Sequence, residues 1–228
     1  MKAKSNILWI GIALVAALFC RTFLISVYKI PTVSMAPTFW PGDFIVSSQI
    51  AYGLRLPWSN TSYFQSTPKT GDLVVFQFTA PQAISKVGAQ YVKRIVALGG
   101  DEIEIQNGHM ILNGKPCSYT KVDRQLSVDT FQVFNEECDG SAREIILSSR
   151  PDKQGALSTF ARMKVPLNEV FVLGDNRDTS DDSRDLGTVP VDQIASKVSS
   201  IWLSYGSTQD FISGSNVIRW NRILTKPR

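Results

Sequence analysis

The sequence predicts a mainly β protein: an antiparallel β domain that carries an inserted smaller region and is preceded by one N-terminal transmembrane helix. Three observations predict it. An apolar run from Ile7 to Cys20 opens the chain and resumes after Arg21 as Phe23-Leu24-Ile25. Beyond Pro31 the helical period gives way to short period-two segments separated by glycine, proline and asparagine. Among them, residues 113–164 are more polar and less regular.

The first element is the anchor. As an α-helix, Ile7 to Ile25 rises about 28 Å, close to the ~30 Å hydrocarbon core of a bilayer. Arg21 lies near the end of that span and can snorkel to the interface. Lys2 and Lys4 precede the run while Arg21 and Lys29 follow it, so the positive charges do not decide its orientation. A cleaved secretory leader has the same start, but Arg21-Thr22-Phe23-Leu24 offers no small-x-small cleavage site. Residues 1–29 are read as tip and anchor, with a buried helix of a soluble protein as the alternative, and residues 30–228 as the folded body.

Pro31 ends the helix. Strands are predicted at Asp43–Val46, Asp72–Phe78, Gln90–Ala97, Glu144–Leu147, Glu169–Leu173 and Lys197–Leu203. Glu102–Ile105 and His109–Leu112 flank Asn107-Gly108, the strongest hairpin signal in the chain. Residues 113–164 are read as an insertion or subdomain.

With 43% hydrophobic residues the chain can bury a core, which excludes global disorder. A net charge of +4 without a long basic block gives no footprint for nucleic acid. His109 is the single histidine and sits at a turn, so a histidine-rich zinc site is excluded and a Ser-His-Asp triad lacks a well-placed base. Of the three cysteines, Cys20 falls in the apolar run and reads as a small buried hydrophobe. Cys117 and Cys138 form one disulfide or remain two thiols; spacing alone does not decide.

Three segments carry chemistry. Pro31-Thr32-Val33-Ser34-Met35-Ala36-Pro37-Thr38 places Ser34 in a proline-fixed loop just beyond the anchor, but a serine hydroxyl needs a base. In Gln90–Val96, strand alternation puts Lys93 on one face with Tyr91 and Ile95, and Arg94 on the other. A lysine desolvated by such neighbours has a lowered pKa; the bland alternative is an amine that snorkels to water. Gly174 to Arg184 holds Asp175, Arg177, Asp178, Asp182 and Arg184 among hydroxyls, which suits either a hydrogen-bonded platform or a solvated acidic loop.

Taken in order, these segments resemble the signature boxes of bacterial signal peptidase I. Pro31–Thr38 is similar to its nucleophile box, with Ser34 at the nucleophile position. Gly71-Asp72-Leu73-Val74-Val75-Phe76 and Tyr91-Val92-Lys93-Arg94 match two further boxes, with Lys93 at the base position. Gly174–Arg184 matches the acidic box. Thr32 stands where serine is usual, Thr179 where asparagine is usual, and Leu98-Gly99-Gly100-Asp101 lacks the usual proline.

The resemblance implies a membrane-bound serine endopeptidase that removes signal peptides from exported preproteins, cleaving after small residues in an Ala-x-Ala pattern. It implies that Ser34 attacks, Lys93 is the base, and Thr32 with the Ser34 amide forms the oxyanion hole. Ser180 then orients Lys93, with Asp182, Arg184 and Asp175 as support, and Met35 lines a small-residue pocket. The implied setting is the bacterial cytoplasmic membrane, crossed once, with the body outside and near the secretion translocon. No cofactor or metal is implied. Three readings compete: a soluble self-cleaving repressor, a maturation peptidase for pilin-type or conjugation-system precursors, and a non-catalytic membrane-anchored β-domain binding protein. Ser34 follows Ile25 by only nine residues, about 30 Å of extended chain. The active site is thus expected near the lipid, with Phe39, Trp40, Trp58, Tyr63 and Phe64 as candidate interfacial side chains; for Phe39 a core position competes.

Overall fold

The computed structural model of the chain describes residues 9–15, 21, 24–55, 62–63, 66–77, 89–124, 126, 131–148, 158–207 and 215–227. Residues 9–15 are helical, and their side chains are exposed. Among the described residues no helix is long and apolar enough to cross a membrane. Lys2, Lys4, Cys20 and much of the apolar run lie outside the described residues, as do Trp58, Phe64 and Phe78.

Among the described residues, seventeen strands follow. They are β1 (Ile25–Lys29), β2 (Asp43–Ser48), β3 (Leu54–Arg55), β4 (Ser62–Tyr63), β5 (Leu73–Gln77), β6 (Gln90–Leu98), β7 (Glu102–Gln106), β8 (His109–Leu112) and β9 (Lys115–Pro116). The rest are β10 (Ser118–Lys121), β11 (Phe131–Cys138), β12 (Ser141–Ser148), β13 (Phe160–Lys164), β14 (Glu169–Leu173), β15 (Val189–Pro190), β16 (Ile194–Ser207) and β17 (Asn216–Ile218). The main sheet runs β1-β2-β16-β5-β6-β14-β15, with β17 on β16, and every pairing in it is antiparallel. The predicted fold class is thus observed for the body.

Alternation along β5 explains how this sheet is buried on both faces. Val74 and Phe76 join Ile95, Val170, Val172 and Ile194 in one core, while Leu73 and Val75 join Met35, Phe39, Ile45 and Ile201 in another. Fully burying a side chain of this size is worth about 1.5–3 kcal/mol. A second sheet, β13-β7-β8-β9, contains the predicted hairpin. Asn107 (φ 50) and Gly108 (φ 80) both take the positive φ that a tight two-residue turn requires.

The structure departs from expectation in three places. Residues 25–29, read as the end of the anchor region, are strand β1, because they pair along their whole length with β2. Trp40 is buried rather than interfacial, packing with Ala36, Val133 and Ile146, while Phe39 takes the core position that competed for it, packing with Met35 and Ile45. The described residues of the polar stretch 113–164 are largely strand. Its β10-β11-β12 sheet walls the Ser34 loop, and its ends, β9 and β13, belong to the β7–β8 sheet. Cys117 and Cys138 are bonded, with Cα atoms 4.8 Å apart, which staples β10 to the end of β11.

Candidate active site

The loop from Pro31 to Trp40 folds because its carbonyls find donors both within it and across the molecule. Ala36 N–H donates to Val33 O and Phe39 N–H to Met35 O, turning the chain around buried Met35 and Ala36. From the opposite wall, Asn176 N–H donates to Ser34 O (3.1 Å) and Asn176 Nδ2 to Val33 O (3.3 Å). Ser34 is thereby fixed at a cleft of about 410 Å³ whose lining includes Tyr28, Pro31, Thr32, Met35, Tyr91 and Asp181.

Lys93 comes from β6, opposite Val74 of β5, and its side chain is 3% exposed. Its Nζ donates to Ser34 Oγ at 2.8 Å and lies 5.9 Å from the centre of the Tyr91 ring. Burial pushes the amine down from 10.5 to about 8; Asp182, Asp181 and Asp175 oppose that shift and Arg184 adds to it. The snorkelling alternative is therefore not what this lysine does. Thr32 Oγ1 lies 3.3 Å from Ser34 Oγ on the solvent side.

Most of the acidic box is buried, with Thr179 and Asp181 left exposed. Ser180 is 5% exposed, and its Oγ has no hydrogen-bond partner among the described residues. Asp182 accepts from Gly174 N–H (3.0 Å) and is gripped by Arg184 Nε (2.8 Å) and Nη2 (2.9 Å). Asp175 does not join that pair. It binds Arg94 through both carboxylate oxygens, each at 2.8 Å, and accepts from Thr38 Oγ1 at 2.5 Å. Arg94, Thr38 and Asn176 are thus supporting residues to which sequence reasoning assigned no role. The signal for Arg94 was its place beside Lys93 on the strand's other face. His109 is exposed at its turn, remote from this constellation in bonding, with Nδ1 against Asn107 O.

A serine hydroxyl hydrogen-bonded to a buried, partly neutral amine at the floor of a cleft has the chemistry of a serine hydrolase that uses lysine in place of histidine. Comparison with known proteins gives the family. The signal peptidase family, peptidase S26, matches residues 3–203, and the chain belongs to it and is a serine endopeptidase. Signal peptidase I of Buchnera aphidicola subsp. Baizongia pistaciae is 32% identical over 232 residues, spanning 83% of this chain and 73% of the relative. Signal peptidase I of Pseudomonas aeruginosa is 31% identical over 206 residues, spanning 82% and 68%.

Proposed function

We propose that this protein removes N-terminal signal peptides from exported preproteins, cleaving after small residues through Ser34 and Lys93. The observation that carries the reading is the 2.8 Å hydrogen bond from a buried Lys93 amine to Ser34 Oγ. Neutral Lys93 takes the hydroxyl proton as Ser34 Oγ adds to the scissile carbonyl. The Ser34 amide and the Thr32 hydroxyl stabilise the oxyanion. The tetrahedral adduct collapses, Lys93 returns the proton to the departing amine, and an acyl-enzyme remains. Water, activated by Lys93, then hydrolyses the ester and frees Ser34. Rotation of the unpaired Ser180 hydroxyl toward the amine would orient it, and the Asp182–Arg184 and Asp175–Arg94 pairs brace the surrounding loop.

The test is to incubate the detergent-purified protein with a preprotein whose leader ends in Ala-x-Ala and to determine the new N-terminus by mass spectrometry. Cleavage directly after the second alanine is expected. An intact preprotein, or a cut elsewhere, would sink the reading. The pH profile follows from the same chemistry. The active form is the neutral amine, so kcat/KM on a short peptide falls as pH drops below about 8. An acidic limb near the ordinary lysine value of 10.4 would contradict Lys93 as base.

The proposal includes a bilayer setting, with the body outside the cytoplasmic membrane. Support comes from an exposed apolar face on the strands nearest the N-terminal segment. Ile25, Val27 and Lys29 share one face of β1, opposite Ser48, Val46 and Phe44, and the Phe44 ring meets Trp202 edge-on at 6.4 Å. Tyr205, Ile218 and Trp220 are also exposed nearby in the chain's β16–β17 pairing and tail. Such aromatic rings favour the headgroup region. In vesicles containing brominated lipid, quenching of tryptophan emission is expected to fall markedly in Trp202→Phe. Unchanged quenching in both Trp202→Phe and Trp220→Phe would remove this face from the interface.

A further inference from the structure

We propose that Glu136, on β11, is a positioning residue for the active site: it fixes the main chain of residues 174–184 against Ser34 and Lys93 by holding Arg177. The inference rests on the peptidase reading above and adds to it a residue from the stretch that carries none of the sequence boxes.

Glu136 is fully buried and all its acceptor capacity is directed. Oε1 accepts from Arg177 Nη1 (2.8 Å) and from the Tyr119 hydroxyl (2.6 Å). Oε2 accepts from Arg177 Nη2 (2.5 Å) and from Arg143 Nε (2.6 Å). The fork is bidentate, the geometry in which a guanidinium plane is fixed in orientation as well as distance. Register explains how it arises: Tyr119, Glu136 and Arg143 are direct cross-strand partners on β10, β11 and β12. One face of this small sheet thus presents a single carboxylate flanked by a phenol and a guanidinium.

Arg177 transmits that grip to the catalytic groups. Its carbonyl accepts from Arg184 Nη2 at 2.6 Å, and Arg184 in turn holds Asp182. Its neighbour Asn176 donates its N–H to the carbonyl of Ser34 itself. The same sheet is zipped along the loop at two more points, Ile146 N–H to Asp175 O (2.8 Å) and Ser148 N–H to Asp178 Oδ2 (2.6 Å). Shifting Arg177 therefore shifts the loop from which Ser34 O takes its donor and from which Asp182 and Asp181 act on Lys93.

A buried ion cluster is a poor device for stability alone, because apolar residues of similar volume commonly serve as well or better. It is a good device for fixing one arrangement. Burial pushes Glu136 up, but Arg177 and Arg143 outweigh it and hold the carboxyl at about 2, so the grip persists across the working pH range.

The test uses the full chain in detergent and compares Glu136→Gln with the wild type. The amide turns one acceptor into a donor facing Arg177. Expected are a fall in kcat/KM of about 10²-fold and an acidic limb displaced upward by about one unit as Lys93 gains water. The groups facing Lys93 that set this limb are Asp175, Asp181, Asp182 and Arg184; those facing Glu136 are Arg143, Arg177 and Tyr119. Ile145→Val, a core change on the same sheet, should lower stability without moving the limb.

Should Glu136→Gln not fold, the triple variant Glu136→Met, Arg143→Met, Arg177→Met decides. It removes every charge of the cluster, so folding is expected to recover while activity stays low. Hydrogen exchange at the Asn176 amide, which is independent of turnover, should be accelerated in either variant, so failure here is distinguishable from failure of the peptidase reading. Wild-type-like exchange at Asn176, an unmoved limb in Glu136→Gln, or near wild-type activity in the triple variant would each overturn the proposal.

Discussion

Ser34→Ala and Lys93→Ala are each expected to lower kcat/KM at least about 10⁴-fold, with the double variant no worse than either single one, because the two groups act as one unit. Lys93→Arg is the sharper substitution. It keeps a positive charge and a donor beside Ser34 Oγ, but a guanidinium is not deprotonated in proteins and cannot serve as base. It should be as inactive as the alanine variant. Retention of more than about a tenth of the activity, roughly 1.4 kcal/mol, in Lys93→Arg would remove the base assignment. Stability supplies a second readout, and its sign is fixed. The Lys93 amine is about 8 in the folded protein and 10.5 when free, so between those values the unfolded chain binds more protons. Stability therefore rises with pH across that window, and the cost of the buried ammonium is present in full below about 8. In Lys93→Met that rise should vanish and stability near pH 7 should increase. Urea unfolding at pH 7 and pH 10 measures both.

Ser34 and Lys93 were legible as candidates through the resemblance of their segments to the family's boxes, since a loop serine and a strand lysine taken alone leave structural readings open; the structure brings the two within 2.8 Å. The face of Lys93 was legible too, since alternation on β6 needs only neighbours. Its partners were not. Arg94 was assigned to the other face, but Asp175 lies 81 residues further on, and no local pattern announces that pair. Trp40 shows the same limit from the apolar side. Beside an active serine it reads as an interfacial ring, and only β11 and β12, about a hundred residues later, supply Val133 and Ile146 to cover it. Glu136 was least legible. Phe131–Cys138 is too polar to read as a buried strand, because the charge that makes it polar is matched by arginines from β12 and from the acidic box. The Cys117–Cys138 bond likewise depends on the β10–β11 pairing rather than on spacing.

Gly174→Ala is expected to abolish most activity although Gly174 has no chemistry of its own. Its amide donates to Asp182, a role alanine would keep. What alanine cannot keep is the space. A Cβ built there meets Ser180 Oγ at 2.1 Å, Ser180 Cβ at 2.5 Å and Ser34 O at 2.6 Å. No rotamer of Ser180 moves its own Cβ, and Ser34 O is main chain, so the two walls of the site must part. Overpacking of this kind costs about 1–3 kcal/mol of stability. A displacement of about 1 Å between nucleophile and base costs about 10²-fold in rate. The two losses can be separated with Gly174→Ala/Ser180→Gly, which removes both Ser180 contacts but leaves the 2.6 Å approach to Ser34 O. That double variant should regain much of the stability, read by urea unfolding, yet stay well below Ser180→Gly alone, which already lacks the hydroxyl proposed to orient Lys93, in activity on an Ala-x-Ala peptide. Wild-type kcat/KM in Gly174→Ala would mean that the Ser34 and Ser180 segments are free to separate without consequence, and that the close contact at Gly174 is not what aligns Ser34 with Lys93.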